Sequence, residues 1–187
     1  MTAVNVAERM TADQYLAIEQ ETRGWELIAG EVVVEEASWR HQRVATRLLG
    51  AISGWISSGE ARGEAIMPLD VKIDDENVFA PDLLWYAAPN VPANLDVRPY
   101  PMPDLAIEVR SPSTWRYDLG TKKSKYESRG LTELWLVDTE SQTVLVFRRS
   151  KSVIQSFDIA LEPARGQTLT SPQLPGFELA LSGLFGD

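Results

Sequence analysis

Cysteine is absent from this 187-residue chain, and histidine occurs once, at His41. Without thiols there are no disulfides, no thiolate zinc or iron–sulfur centres and no cysteine nucleophile. A lone imidazole excludes a multi-histidine metal site, so any metal held here takes mainly oxygen ligands. No apolar run reaches the roughly 18 residues of a membrane-spanning helix. The start, MTAVNVAERMTADQY, lacks the basic stretch and apolar core of a signal peptide. A cytoplasmic, reducing setting without a membrane is therefore expected. Neither G-x-G-x-x-G nor G-x-x-x-x-G-K-[ST] occurs, and no G-x-S-x-G elbow is present to make a serine triad with His41. Positive charge is scarce as well. The 18 Lys and Arg face 27 Asp and Glu, a net charge of −9 that argues against diffuse attraction to nucleic acid. The exception is residues 109–130, where Arg110, Arg116, Lys122, Lys123, Lys125 and Arg129 meet only Asp118 and Glu127. A local basic patch on an acidic body is more informative than the total.

The length suits one domain, taken as residues 1–187. Thr11 and Gln14 form a capping-box pattern for a first helix running to about Gln20. Ala29-Gly30 between two β-prone runs predicts a hairpin. Ser38 opens a longer helix to about Ser58, with Val44, Leu48, Leu49, Ile52, Trp55 and Ile56 at helical spacing. Strands are expected over residues 65–73, 81–86 and 104–110. Residues 88–103 hold five of the eleven prolines and form an excursion loop. A helix is predicted over residues 113–129, stopped by Gly130. A second hairpin follows over residues 134–148, then a tail of short strands and turns. This order predicts an α/β fold with a central mixed sheet flanked by helices, behind an N-terminal helix and hairpin. The six tryptophans are read mainly as core, with Trp115 the best placed to meet a ligand because of its basic surroundings.

Three pieces carry candidate chemistry. Pro81-Asp82 opens an apolar strand. On DLAIEVR, alternation puts Leu105, Ile107 and Val109 on one face and Asp104, Ala106, Glu108 and Arg110 on the other. An acid inside such a strand is costly unless paired or metal-bound. Asp118, Lys122 and Tyr126 fall at i, i+4 and i+8 along the following helix. Two strand carboxylates beside a lysine are what a divalent-metal hydrolase needs. Each piece also has a plainer reading. Asp82 can cap a turn, Glu108 can pair with Arg110 or Lys122 as a structural ion pair, and Asp118 with Lys122 can be a solvated helix pair.

The strings WELIAGEVVVEE, HQRV, APDLLWY, PDLAIEVRSPST, the D-x3-K-x3-Y of Asp118, Lys122 and Tyr126, GLTELWLVD and LPGFELALSGLF occur in one order. Together they resemble the PD-(D/E)XK, restriction-endonuclease-like nuclease superfamily, and within it the small bacterial Uma-two family. The resemblance implies a restriction-endonuclease-like core and a metal-dependent endonuclease, acting on nucleic acid, DNA foremost. It casts Asp82 and Glu108 as holders of Mg²⁺ (or Mn²⁺). The superfamily's lysine two residues after the second acid is Arg110 here, and arginine stays protonated. In the Uma-two branch the lysine matches Lys122 on the next helix. Lys122 is therefore taken as the catalytic lysine, with Arg110, Lys123 and Lys125 meeting phosphates. Glu31 and His41 match family positions, and with Asp118 and Tyr126 are expected near the site. A homodimer, as in many superfamily members, is compatible with the sequence. The rival expectation is a weakly active or inactive member that uses the same fold to bind nucleic acid or protein.

Overall fold

A computed structural model describes residues 9–19, 22 and 24–186. The Thr11 capping box forms as the sequence predicts, opening α1 (Ala12–Leu16), which ends before the expected Gln20, a residue outside the described ones. Next come β1 (Trp25–Ile28) and β2 (Glu31–Val34), paired antiparallel. Ala29 and Gly30 both take positive φ, 50° and 77°, as a two-residue type I′ turn requires. The Asn77 side chain secures that strained Ala29 by accepting its N–H at 2.8 Å.

Ser38 caps α2 (Trp39–Ser57), whose buried stripe is His41, Val44, Ala45, Leu48, Ile52 and Trp55. The expected strand over residues 65–73 divides. β3 (Glu64–Ile66) and β4 (Val71–Asp74) join different sheets, and Pro68 between them lacks the N–H that continued pairing needs. β5 (Asn77–Phe79), β6 (Leu83–Tyr86) and β7 (Leu105–Val109) follow. The predicted helix over residues 113–129 is a composite. It consists of α3 (Trp115–Tyr117), a π turn (Asp118–Lys122) and α4 (Lys123–Ser128), closed by Gly130 at φ 90°. β8 (Glu133–Asp138) and β9 (Thr143–Arg148) form the second hairpin. The tail supplies β10 (Ile159–Leu161), β11 (Thr168–Leu169), β12 (Leu179–Ala180) and α5 (Leu181–Leu184).

The fold is α/β, with a mixed six-stranded central sheet in the order β10-β9-β8-β7-β6-β3. β7 and β8 are its parallel pair, joined by the α3–π–α4 crossover, as parallel neighbours demand. One face packs on α2 and the C-terminal tail through Leu83, Trp85, Leu105, Ile107, Val109 and Trp135. The other packs on the crossover helix and on a smaller sheet, β2-β1-β5-β4, through Leu84, Ala106, Tyr126, Leu134, Phe79 and Ile73. With both faces covered, β7 is buried at all five positions, and that is the setting in which Glu108 must be stabilised. Of the tryptophans, Trp55, Trp85 and Trp135 are core, Trp25 and Trp115 are half-buried, and Trp39 stands in solvent. No described helix is long and apolar enough to cross a membrane.

Candidate active site

β6 and β7 run antiparallel with Leu83 opposite Ile107. Continuing that register by one residue sets Asp82 opposite Glu108, so both side chains rise from one face of the sheet. The Val109 N–H confirms the alignment by donating to Asp82 Oδ2 at 2.6 Å. The crossover helix lies over this face and lowers Lys122 onto it.

The Lys122 ammonium is boxed by carboxylates. It lies 2.7 Å from Glu108 Oε1, 2.9 Å and 3.0 Å from the two oxygens of Glu26, and 3.1 Å from Asp118 Oδ1. The Asp118 contact is an ion contact off the hydrogen-bond axis. Tyr126 donates its hydroxyl to the same Glu108 Oε1 at 2.8 Å, Thr114 donates to Asp118 Oδ2, and the Ala80 N–H donates to Glu26 Oε1. The Phe79 ring lies 5.7 Å from the ammonium. The π turn explains how three residues of one helix converge. In a regular α-helix each four-residue step overshoots a full turn by about 40°. The wider π turn absorbs that overshoot between Asp118 and Lys122, which keeps Asp118, Lys122 and Tyr126 aligned over the sheet.

A second group adjoins the first. His41, on the first turn of α2, sets Nε2 2.9 Å from Asp82 Oδ1, and Glu35 Oε1 lies 3.7 Å from His41 Nδ1. Ligating atoms of Glu35, His41 and Asp82 all fall within 4.8 Å of one another. They line a cleft of about 460 Å³ with Gly24, Met67 and Pro68. Gly24, Glu35 and Pro68 also border a small hollow of about 30 Å³ that reaches Glu26, Glu108 and Lys122. The cleft and the hollow thus share three lining residues.

Burial first, and crowded charge after it, shift the pKa values of the site. Burial, then the Asp82 charge, pushes Glu35 up to about 7. Burial raises Asp118 to about 6 and Glu108 well above the usual carboxylate range. Burial alone would depress the imidazolium of His41, but the Asp82 hydrogen bond and the Asp82 and Glu35 charges outweigh it and lift His41 to about 9. Lys122 follows the same logic: desolvation works against its charge, and Asp118, Glu108 and Glu26 overcome it, so its pKa rises.

The structure therefore brings Asp82, Glu108, Lys122, His41, Asp118 and Tyr126 together. Glu31 is elsewhere, exposed at the β1–β2 turn opposite Ile28. Two acids that the sequence reading did not single out take part instead. Glu26 is an acid between apolar neighbours on a buried strand, the same signal that singled out Glu108. Glu35 enters only because its N–H pairs with the Gly24 carbonyl across the hairpin, a relation no spacing rule reveals. Half of the basic segment is paired with acids. Arg110 lies over Trp115 and contacts Asp138 and Glu140 at 3.0 Å and 2.8 Å. Lys125 pairs with Asp74 at 2.7 Å, and Lys123 sits over Phe147.

Residues 12–182 match the Uma2 family, described as "Putative restriction endonuclease". The chain belongs to the Uma2 family. As a Uma2 member it falls among nuclease-like proteins. A crystal structure from Anabaena variabilis ATCC 29413, described as a putative nuclease belonging to DUF820, has the same fold, with a TM-score of 0.77. That likeness covers 94% of this Uma2 chain and 97% of the other at 17% identity, so it speaks for the fold. A search of the curated proteins finds no match.

Proposed function

We propose that this Uma2 protein is a divalent-metal-dependent endonuclease that hydrolyses phosphodiester bonds, with DNA as the substrate to test first. One observation carries the reading. Among the described residues, five carboxylates, Glu26, Glu35, Asp82, Glu108 and Asp118, crowd around two cationic groups, Lys122 and His41. Buried negative charge in excess is costly without a further cation. An oxygen-rich donor set of this kind fits a hard ion such as Mg²⁺ or Mn²⁺. Asp82 and Glu108, opposite one another on the ladder, would hold it, with Glu35 and His41 beside Asp82. Once bound, such an ion supplies Lewis acidity at a phosphoryl oxygen and a lowered pKa for attacking water.

The chain's own side chains do the rest. Lys122, kept protonated by its carboxylate neighbours, places an ammonium against Glu108 where negative charge grows during phosphoryl transfer. Tyr126 fixes the Glu108 oxygen that Lys122 contacts. His41 orients Asp82, and the Val109 N–H holds its second oxygen. A plasmid-nicking assay with Mg²⁺ or Mn²⁺, run beside a single-stranded circular DNA, tests this. Cutting is expected to vanish in both Asp82→Ala and Glu108→Ala, and retained cutting in both removes the site.

A second reading rests on the enclosure of Lys122, which is 2% exposed and already holds three carboxylates. A site so fully paired suits a member that binds without cutting. Calorimetric titration with Mn²⁺ separates the two, because heat that disappears in Asp82→Ala favours the nuclease and no heat at all favours the binding module.

A further inference from the structure

The first turn of α2 carries an unusual surface. Trp39 is 85% exposed, the most exposed of the large apolar side chains among the described residues. It lies two positions before His41, the residue that meets Asp82, and the helical repeat turns the two to opposite sides of α2. Arg40 is exposed and Arg43 half-buried, and neither side chain has an ion pair or hydrogen bond among the described residues. The Arg43 Nε is enclosed without an acceptor. Arg40 and Arg43 border a polar hollow of about 110 Å³ with Thr139, Glu140 and Gln142, where Glu140 pairs with Arg110, a guanidinium it shares with Asp138. Helical spacing of i, i+1 and i+4 groups Trp39, Arg40 and Arg43 on the side of the turn away from the core stripe.

These cations differ from three of those in residues 109–130. Arg110, Lys122 and Lys125 are committed to internal carboxylates. On a chain of net charge −9, a polyanion gains only from cations that remain uncommitted. Guanidinium groups fit phosphate oxygens, and an indole face offers a stacking platform for any base. Within a duplex both faces of each base are covered by its neighbours, so the indole selects an unpaired base.

We propose that Trp39, Arg40 and Arg43 form a subsite for single-stranded nucleic acid on the outer side of the first turn of α2, the side opposite His41 and the cleft, with one unpaired base stacked on Trp39 and neighbouring phosphates on the two arginines. This deepens the nuclease reading and rests on it for the strand being the substrate. The test is fluorescence anisotropy with a labelled oligothymidylate of about twelve nucleotides, in EDTA, beside a hairpin duplex of equal length. Wild type is expected to bind the single strand in a salt-dependent manner. Trp39→Ala is expected to weaken that binding about tenfold with the salt slope unchanged. The Arg40→Gln/Arg43→Gln double variant is expected to lower the slope of log K against log salt by about 1.4. Duplex binding is expected to be indifferent to Trp39→Ala. The subsite is overturned if wild type binds no single strand, if Trp39→Ala changes affinity less than about twofold, if strand and duplex lose affinity equally, or if the double variant leaves the slope intact. Circular dichroism melting of each variant checks that the fold is kept. Binding is read without metal, so the subsite is tested even in a chain that does not cut. Unchanged KM for nicking in Trp39→Ala would remove the subsite while leaving the nuclease reading in place.

Discussion

Tyr126 and Lys122 share a single oxygen: the phenol donates to Glu108 Oε1 at 2.8 Å, and the ammonium lies 2.7 Å from the same atom. Both side chains come from one helix and converge because the π turn takes up the drift of the helical repeat. Removing the phenol leaves a fully buried carboxylate with one donor fewer. Tyr126→Phe is expected to cost about 1–3 kcal/mol of stability, the range for leaving a buried acceptor short of a partner. Urea denaturation reads this directly. A loss under about 0.5 kcal/mol would mean that water takes over the Tyr126 role, because surface-like sites show changes of that size.

Much of this arrangement was legible in the sequence, because the signals involved are local. The Thr11–Gln14 cap, the Ala29-Gly30 turn and the alternation of DLAIEVR each depend on residues a few positions apart. The Asp118, Lys122 and Tyr126 stripe is equally local, although its π turn left no mark that periodicity detects. What stayed hidden is long-range. The partners of Arg110 and Lys125 lie 28 and 51 residues away in sequence, so part of a basic run that reads as a free patch is already paired with acids. Glu35 reaches the cleft through hairpin register alone. Trp39 looked like core because most tryptophans are, yet its place at the helix start points it away from the buried stripe.

Lys122 is the one cation touching Glu26, Glu108 and Asp118 among the described residues. Taking it away leaves three buried acids without a counter-charge, a change that typically costs about 3–5 kcal/mol. Lys122→Met, close in shape, is expected to be destabilised by that amount, to lose turnover, and still to bind Mn²⁺. Added Mn²⁺ is expected to raise its melting temperature more than that of wild type, because the ion replaces the missing charge. Arg110→Ala is the contrast. It breaks pairs nearer the surface, worth about 1 kcal/mol or less, and is expected to leave turnover intact. If Arg110→Ala stops turnover and Lys122→Met does not, Lys122 is not the catalytic lysine.

The pH dependence of stability has a definite sign. Glu35 at about 7, Asp118 at about 6 and His41 at about 9 all hold their protons more tightly folded than unfolded. Each therefore contributes stability that is complete below its unfolded pKa and is lost as pH rises through its folded value. For the acids the loss falls between about pH 4 and 7, and for His41 between about 6.5 and 9. Metal-free protein is expected to lose stability steadily from pH 5 to pH 9, as read by denaturation at each pH. Saturating Mg²⁺ is expected to flatten the profile, since a bound cation competes for the sites that protons occupy. A metal-free profile that rises over this window would show that the acids are not crowded as described.

His41 offers the sharpest test, because it is the only imidazole in the chain and gives a single titrating resonance by NMR. In untagged, metal-free protein its midpoint is expected near 9, held up against burial by the Asp82 hydrogen bond and the Asp82 and Glu35 charges. Glu35→Gln is expected to lower the midpoint by removing one charge. Asp82→Asn is expected to take it further, below the ordinary value of about 6.5, because desolvation then dominates. Mn²⁺ broadens nearby resonances, so Mg²⁺ is the ion to add, and it is expected to shift the midpoint down as positive charge arrives beside Asp82. A His41 midpoint already at its ordinary value in wild type would mean that the 2.9 Å contact with Asp82 does not persist in solution, and the cleft would then lack the link that joins α2 to the carboxylates.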